Sequence, residues 1–345
     1  MESLWLLILL ATLMVIFFDF TNGFHDASNM VASVIASQAM TPRQAILVVG
    51  LFTFLGPILG GTAVANTIGK FVTLDDLPAD ISLAVVLCGL FAATAWNLFT
   101  WWRGIPSSSS HALVGGLAGV VVVAAGPDHV VWGFQQLLEG HLTGVTKVLL
   151  ALVLSPMVGF WAGFLLHRIT LFLLRNAAPT ANRPLRKAQW VTTAGLSFAH
   201  GANDAQKSMG ILTLVLLLGG EIDSFVVPFW VIMVCAIAIT IGTMLGGWRI
   251  IRTLAFAIYR IRPLHALNSQ MTSAGVVFLA SLIGAPVSTT HVVSSSIMGI
   301  GASERPLAVR WSKASEIVST WIVTIPGAGF FAMLSYGVLT VIGLV

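Results

Sequence analysis

Asn22-Gly-Phe-His-Asp-Ala-Ser-Asn29 and His200-Gly-Ala-Asn-Asp-Ala-Gln-Lys207 are two versions of one polar motif, offset by 178 residues, pairing Gly23 with Gly201 and Asp26 with Asp204. A second pair follows in the same order: Gly104-Ile-Pro-Ser-Ser-Ser-Ser-His111 and Gly284-Ala-Pro-Val-Ser-Thr-Thr-His291, offset by 180, which also aligns Gly119 with Gly299. Between them Gly60-Gly61 matches Gly246-Gly247 at an offset of 186, so small loop insertions absorb the drift. Two polar motifs repeated in order at nearly one spacing mark an internal duplication.

What surrounds the motifs is apolar. Of 345 residues, 17 are Lys or Arg and 13 are Asp or Glu, about 9% charged, against 57% hydrophobic. Soluble domains run near 25% charged, and the mean hydropathy here is +0.94. A water-soluble enzyme, a nucleic-acid-binding module and a disordered chain are all excluded. The pI of about 9.4 therefore does not point to nucleic acid; in a membrane chain, basic residues report loop orientation. The 33 glycines suit helices packed closely in lipid. Cys88 and Cys235 sit in apolar runs and read as buried thiols, with no disulfide, metal site or cofactor expected. Met1 to Phe18 lacks a basic leader region and a small-residue cleavage site, and is expected to remain as the first span.

The basic residues are grouped. Arg168, Arg175, Arg183, Arg186 and Lys187 lie in 167–188, and Arg249, Arg252, Arg260 and Arg262 in 249–262, together nine of the 17. The positive-inside rule places both loops in the cytoplasm, with Arg305 to Lys313 as a third. The loops holding Asp75, Asp76, Asp80, Asp128, Glu139, Glu221 and Asp223 lack basic clusters and fit the outer side. Five segments then precede the 167–188 loop, near 4–40, 44–69, 81–102, 106–125 and 148–167. Five follow it, near 189–218, 224–247, 264–284, 286–301 and 314–345. An odd number per half requires homologous halves to lie oppositely in the membrane. The expected fold is an all-α polytopic membrane protein with an inverted-topology repeat, broken or re-entrant helices and about ten to twelve membrane segments. Its parts are residues 1–166 as the first repeat, 167–188 as a basic cytoplasmic linker and 189–345 as the second repeat.

A carboxylate within a span costs about 2.5–3.5 kcal/mol on insertion scales, so Asp26 and Asp204 need a partner or a task. Asn29 and Lys207 lie three residues on, hence on the same helical face. Asn22, Asp26, Asn29, Asn203, Asp204 and Lys207 form the candidate cation or proton coupling set. The competing reading is that each Asp caps a broken helix or bonds a neighbouring span. Asp19, one turn earlier, fits either the ion path or a cap.

Ser107, Ser108, Ser109, Ser110, Ser288, Thr289 and Thr290 suit the opposite charge. Proline is favoured in a first helical turn, and hydroxyls there surround the free N–H groups of a helix start, which binds phosphate and sulfate well. Two such starts from inverted halves can strip water from an oxyanion without arginine. Capping and interhelical bonding by Ser and Thr is the alternative. His111 and His291 end both runs and read either as buried hydrogen-bonding residues or as proton carriers.

At these residues the sequence resembles the PiT family of inorganic phosphate transporters over nearly its whole length. The family's duplicated Gly-Ala-Asn-Asp-type motif stands here as Gly23-Phe24-His25-Asp26 and Gly201-Ala202-Asn203-Asp204, each followed by a Pro-Ser/Thr-rich element. The resemblance implies symport of inorganic phosphate with sodium or protons across the plasma membrane, as a homodimer. It implies that Asp26, Asn29 and Asp204 handle cations while Ser108 to Ser110 and Ser288 to Thr290 hold phosphate. Sodium-coupled relatives tend to repeat Asn-Asp-x-x-Asn in both motifs, whereas the second here ends in Lys207. That pattern looks like the bacterial, proton-coupled branch, which is also associated with metal–phosphate complexes. Physically, a fixed ammonium beside Asp204 can stand where a sodium would.

Three other readings stand beside it. A carrier for sulfate or arsenate uses the same donors. An intramembrane hydrolase is disfavoured because Ser110-His111 and Thr290-His291 are adjacent and diverge on a helix. A channel fits paired charged sites at helix breaks less well than alternating access does.

Overall fold

The computed structural model describes residues 2–247, 250, 251, 253 and 258–342. Arg249 and Arg252 of the expected basic loop, and the chain ends at Met1 and 343–345, lie outside the described residues.

The chain is helical throughout, with one isolated bridge, Val72 to Val130, among the described residues. The first half contains α1 (Glu2–Ala36), α2 (Pro42–Leu59), α3 (Ala63–Gly69), α4 (Ala79–Arg103), α5 (Ser109–Ala124), the short α6 (Phe134–Leu138) and α7 (Gly144–Leu173). The second contains α8 (Asn182–Leu218), α9 (Phe229–Leu245), α10 (Pro263–Leu282), α11 (Thr289–Glu304) and α12 (Trp311–Val341). Five of these, α1, α2, α4, α7 and α12, are long and apolar enough to cross a membrane. α5 and α11 have 16 residues each, about 24 Å of helix at 1.5 Å per residue. That is short of the hydrocarbon thickness of about 30 Å, so they are half-helices.

The repeat is visible in the packing. α1 lies along α9 and α8 along α2; α5 lies against α12 and α11 against α7. α4 packs on α1 and α5, as α10 packs on α8 and α11. Each half thus completes its core with helices of the other. Gly23 of α1 and Gly201 of α8 allow this: a Cβ on Gly23 would collide with the Ile239 carbonyl oxygen, and one on Gly201 with the Thr53 carbonyl oxygen.

The helix breaks also repeat. α2 ends at Gly60 and Gly61 (φ +79°), and α9 at Gly246 and Gly247 (φ +86°). The loops before the half-helices turn on Gly104 (φ +68°) and Gly284 (φ +65°), a left-handed conformation that costs a side-chain-bearing residue energy. The first polar motifs differ from expectation here. Residues 22–29 and 200–207 lie inside the unbroken helices α1 and α8, so Asp19, Asp26 and Asp204 cap nothing. Pro106 and Pro286 likewise stand before the helix starts rather than in their first turns.

Polarity is inside out, as lipid exposure requires. Trp5, Leu51, Phe91, Trp161 and Ile322 face outward, while Asp19, Asp26, Asp204 and Lys207 are at most 2% exposed. Cys88 and Cys235 are free and buried.

Candidate functional site

The site lies where the middles of α1 and α8 meet the starts of α5 and α11. Both half-helices begin with a serine N-cap. Ser108 Oγ accepts from His111 N–H at 3.2 Å, and Ser288 Oγ from His291 N–H at 3.3 Å. Those two hydroxyls serve capping, one of the two roles open to the runs. The next hydroxyls reach out to α1 and α8.

Ser109 Oγ donates to Asn22 Oδ1 at 2.5 Å, and Thr289 Oγ1 to Asp204 Oδ2 at 2.6 Å. Thr290 Oγ1 donates to Asp26 Oδ1 and accepts from Asn29 Nδ2, both at 2.9 Å. Ser110 Oγ accepts from Lys207 Nζ at 2.5 Å and lies 3.3 Å from the Val287 carbonyl oxygen. Lys207 Nζ also donates to that carbonyl oxygen at 2.7 Å and pairs with Asp204 Oδ1. Its ammonium thus sits among three oxygens drawn from α8, the Gly284 loop and α5. A buried ammonium requires such partners.

Ser107 is set apart from the other hydroxyls: Ser107 Oγ donates to Thr100 Oγ1 at 2.7 Å and lies 3.3 Å from His25 Nε2. Asn203 is bonded to the end of α10 and the loop that follows it. Its Nδ2 donates to Ser281 Oγ at 3.0 Å and the Ala285 oxygen at 3.2 Å, and Oδ1 accepts from Val287 N–H at 3.3 Å. It holds the Gly284 loop that launches α11. Asp19 Oδ1 accepts from Ser208 Oγ at 2.7 Å, tying α1 to α8.

Two residues carry weight that the motifs did not assign. His25 Nδ1 lies 2.9 Å from Asp26 Oδ1, and His200 Nδ1 lies 2.6 Å from Asp204 Oδ2. The signal was present: His200 and Asp204 are four apart on one helix face. Asp26, His200 and Asp204 offer ligand atoms all within 4.8 Å of one another, so the two carboxylates and an imidazole form one buried centre capable of holding a cation or a proton. His111 and His291 face each other with ring centroids 4.5 Å apart, and His291 stacks on Trp321 at 3.9 Å. Ser110 and Thr290 bond Lys207 and Asp26 instead, so neither Ser110-His111 nor Thr290-His291 forms a nucleophile pair.

Chemically, the arrangement puts hydroxyls from two half-helix starts against two buried carboxylates and one ammonium. The model of the phosphate transporter family matches residues 22–181 and again 173–332. A probable low-affinity inorganic phosphate transporter of Bacillus subtilis (strain 168) is 40% identical over 345 residues, covering 99% of this chain and 100% of that one. One of Mycobacterium tuberculosis (strain ATCC 25618 / H37Rv) is 39% identical over 340 residues, 98% of this chain and 78% of that one. The low-affinity inorganic phosphate transporter PitB of Escherichia coli (strain K12) is 27% identical, covering 95% of each chain. A solved structure titled the sodium-dependent phosphate transporter has the same fold, with a TM-score of 0.83 at 23% identity over 97% of this chain and 99% of that one. This multi-pass membrane protein, a transporter and not an enzyme, belongs to the phosphate transporter family.

Proposed function

We propose that the chain is a secondary active symporter that moves inorganic phosphate across the plasma membrane, driven by protons or sodium. The observation that carries the reading is the sharing of hydroxyls. Thr289 and Thr290 donate to Asp204 and Asp26 at 2.6 and 2.9 Å, yet the same hydroxyls stand at a helix start suited to an oxyanion. An ionised carboxylate therefore competes with phosphate for these donors. Neutralising Asp26 or Asp204 with a proton or a cation releases the hydroxyls, and phosphate then takes them. Such a shared set of donors couples the two ligands reciprocally, each raising the affinity of the other.

In this reading Ser109, Ser110, Thr289 and Thr290 turn to phosphate, with Ser107, Ser108 and Ser288 shaping the helix starts around it. Asp26, Asn29, Asp204 and Lys207 set the coupling charge, and Asn22 exchanges Ser109 for the substrate. Protons are favoured over sodium because Lys207 already fills an oxygen cage of the kind a hard cation prefers. Free phosphate and a neutral metal–phosphate both fit this scheme, and a homodimer is the assembly we expect. Sulfate or arsenate differs in no donor named above and is the second reading.

Purified protein in liposomes, with sodium and pH gradients imposed separately, tests the proposal. Uptake of radiolabelled phosphate driven by the pH gradient, and outcompeting sulfate, is the expected result. Sulfate uptake that phosphate does not inhibit would sink the substrate assignment.

A further inference from the structure

A second cluster of titratable side chains lies away from the central site, where the ends of α7, α10 and α11 meet. His265 is the third residue of α10, Glu304 is the last of α11, and His167 lies six residues from the end of α7. His265 Nε2 is 2.6 Å from Glu304 Oε2, and His167 Nε2 is 3.5 Å from the same oxygen. The two rings meet edge to face with centroids 5.0 Å apart. His167 is fully buried and its Nε2 makes no well-formed hydrogen bond. Glu304 is 19% exposed, and Arg260, Arg262 and Arg305, close to it or to His265 in the chain, are exposed.

We propose that His167, His265 and Glu304 form a binding site for a zinc-class divalent cation. Two imidazoles and one carboxylate from three helices are a common donor set for zinc, with the remaining position left to water. Their ligand atoms all lie within 4.8 Å of one another, and a tetrahedral ion with bonds of about 2.0–2.2 Å brings such atoms closer than that.

The groups behind the ligands also fit. His265 Nδ1 has the Arg262 N–H at 3.1 Å and the Arg260 carbonyl oxygen at 3.3 Å, so the ring is held in either tautomer. When Nδ1–H donates to Arg260, the Nε2 lone pair is free for a metal. His167 Nδ1 faces Asn268 Nδ2 at 2.9 Å, and the same Nδ2 donates to Thr170 Oγ1 at 2.7 Å, while Asn268 Oδ1 is buried without a partner. Metal binding at Nε2 requires Nδ1–H, which turning the Asn268 amide over would meet with Oδ1. Metal-bound histidines are oriented by such second contacts. Two groups compete for the carboxylate. Tyr259 O–H reaches Oε2 at 3.4 Å, and Arg262 reaches Oε1 at 3.8 Å from a side chain 59% exposed that can swing into water. A bound ion would staple the far end of α11, the half-helix whose start holds Thr289 and Thr290, to α7 and α10.

The test uses full-length protein, free of any affinity tag, stripped with a chelator and titrated with zinc. Bound metal is measured by elemental analysis after gel filtration, and coordination by the visible spectrum of the cobalt(II) form. One zinc per chain is expected, with a tetrahedral cobalt spectrum and a higher Tm on zinc addition. His167→Gln and Glu304→Gln should each weaken binding about ten-fold or more and remove the Tm rise. His200→Gln, which removes the imidazole of the central centre, should leave zinc bound. If Glu304→Gln does not fold, His167→Gln decides alone, because the Nε2 it removes makes no well-formed hydrogen bond. Wild-type protein that holds no zinc, or zinc retained in His167→Gln, overturns the proposal. So does zinc lost only in His200→Gln.

Discussion

Lys207 Nζ lies 2.5 Å from Ser110 Oγ, so the ammonium of one half closes on the half-helix start of the other. The repeat makes the same contact a second time: Asn29 Nδ2 donates to Thr290 Oγ1 at 2.9 Å. Asn29 is the counterpart of Lys207, and Thr290 of Ser110. One geometry is therefore built twice, once with a neutral amide and once with a charge. Asp26 has His25 and Thr290 beside it and, among the described residues, no lysine, whereas Asp204 has His200, Thr289 and also the Lys207 ammonium. A duplicated scaffold thus surrounds its two buried aspartates unequally.

That inequality separates two substitutions that the sequence alone treats as equivalent. Asp26→Asn should abolish coupled uptake and leave the fold intact, because the amide can still bond Thr290 and His25. Asp204→Asn should also lose uptake, but it strands the Lys207 ammonium in a buried site. Breaking a buried pair by removing one partner costs about 3–5 kcal/mol, so this variant should show a clearly lower Tm in detergent. Pairing it with Lys207→Met should recover much of that stability without recovering uptake. Equal Tm values for Asp26→Asn and Asp204→Asn would mean that the Lys207–Asp204 pair contributes little.

The hydroxyl runs divide in the same way. Ser108→Ala and Ser288→Ala remove N-caps and should lower stability by about 1 kcal/mol each, with phosphate affinity nearly unchanged in the surviving protein. Ser109→Ala and Thr289→Ala should do the reverse. Each deletes a donor that phosphate would use, and a hydrogen bond to a charged group contributes about 1.5–3 kcal/mol, roughly ten- to a hundred-fold in affinity. Measuring Tm and phosphate Kd on one preparation of each variant checks both halves of this statement. Affinity lost from Ser108→Ala and kept in Ser109→Ala would exchange their roles.

Much of this is legible in the sequence. Polar residues stand out against an apolar background, so the duplicated motifs, the Gly60-Gly61 and Gly246-Gly247 breaks and the short half-helices can be read from spacing. The continuity of α1 through Asn22 to Asn29 cannot. Asparagine, glycine and serine weaken a helix locally, and the tertiary partners of this stretch, Thr290 on Asn29, Ser109 on Asn22 and Ile239 against Gly23, come from distant segments. The work of Asn203 is hidden for a related reason, since its partners Ser281, Ala285 and Val287 lie about 80 residues away. The motif sets Asn203 beside Asp204, and the packing ties its side chain to the loop before α11.

Gly23 and Gly201 sit in the contacts by which the halves exchange helices, with Gly242 and Gly56 in the same two contacts. Gly201→Ala should fail to give a stable protein, because its Cβ would collide with the Thr53 carbonyl oxygen and Gly201 cannot move without shifting α8 from α2. Gly23→Ala should behave alike against Ile239. Gly275→Ala is the control, with nothing within 4 Å of the added methyl. Monodispersity and Tm after detergent extraction report the outcome. A normal Tm for Gly201→Ala would show that α2 and α8 are free to separate.

On the proposed reading, Lys207 sets which ion drives uptake. Its ammonium is held by Asp204, Ser110 and the Val287 carbonyl oxygen, three oxygens such as a sodium ion would take. With that position filled from within, wild-type uptake should follow a pH gradient and respond little to sodium. Lys207→Asn would empty the cage and set a neutral amide opposite Ser110, as Asn29 already stands opposite Thr290. Uptake in this variant should gain sodium dependence. Charge sharpens the expectation. Divalent hydrogen phosphate entering against an inside-negative potential costs about 2.3 kcal/mol per charge per 100 mV. Removing the fixed positive charge of Lys207 while binding a sodium ion keeps the site's charge constant, so the variant should still transport. Wild-type uptake that rises steeply with sodium at fixed pH would remove Lys207 from this role, leaving sodium to bind beside Asp26 and Asn29.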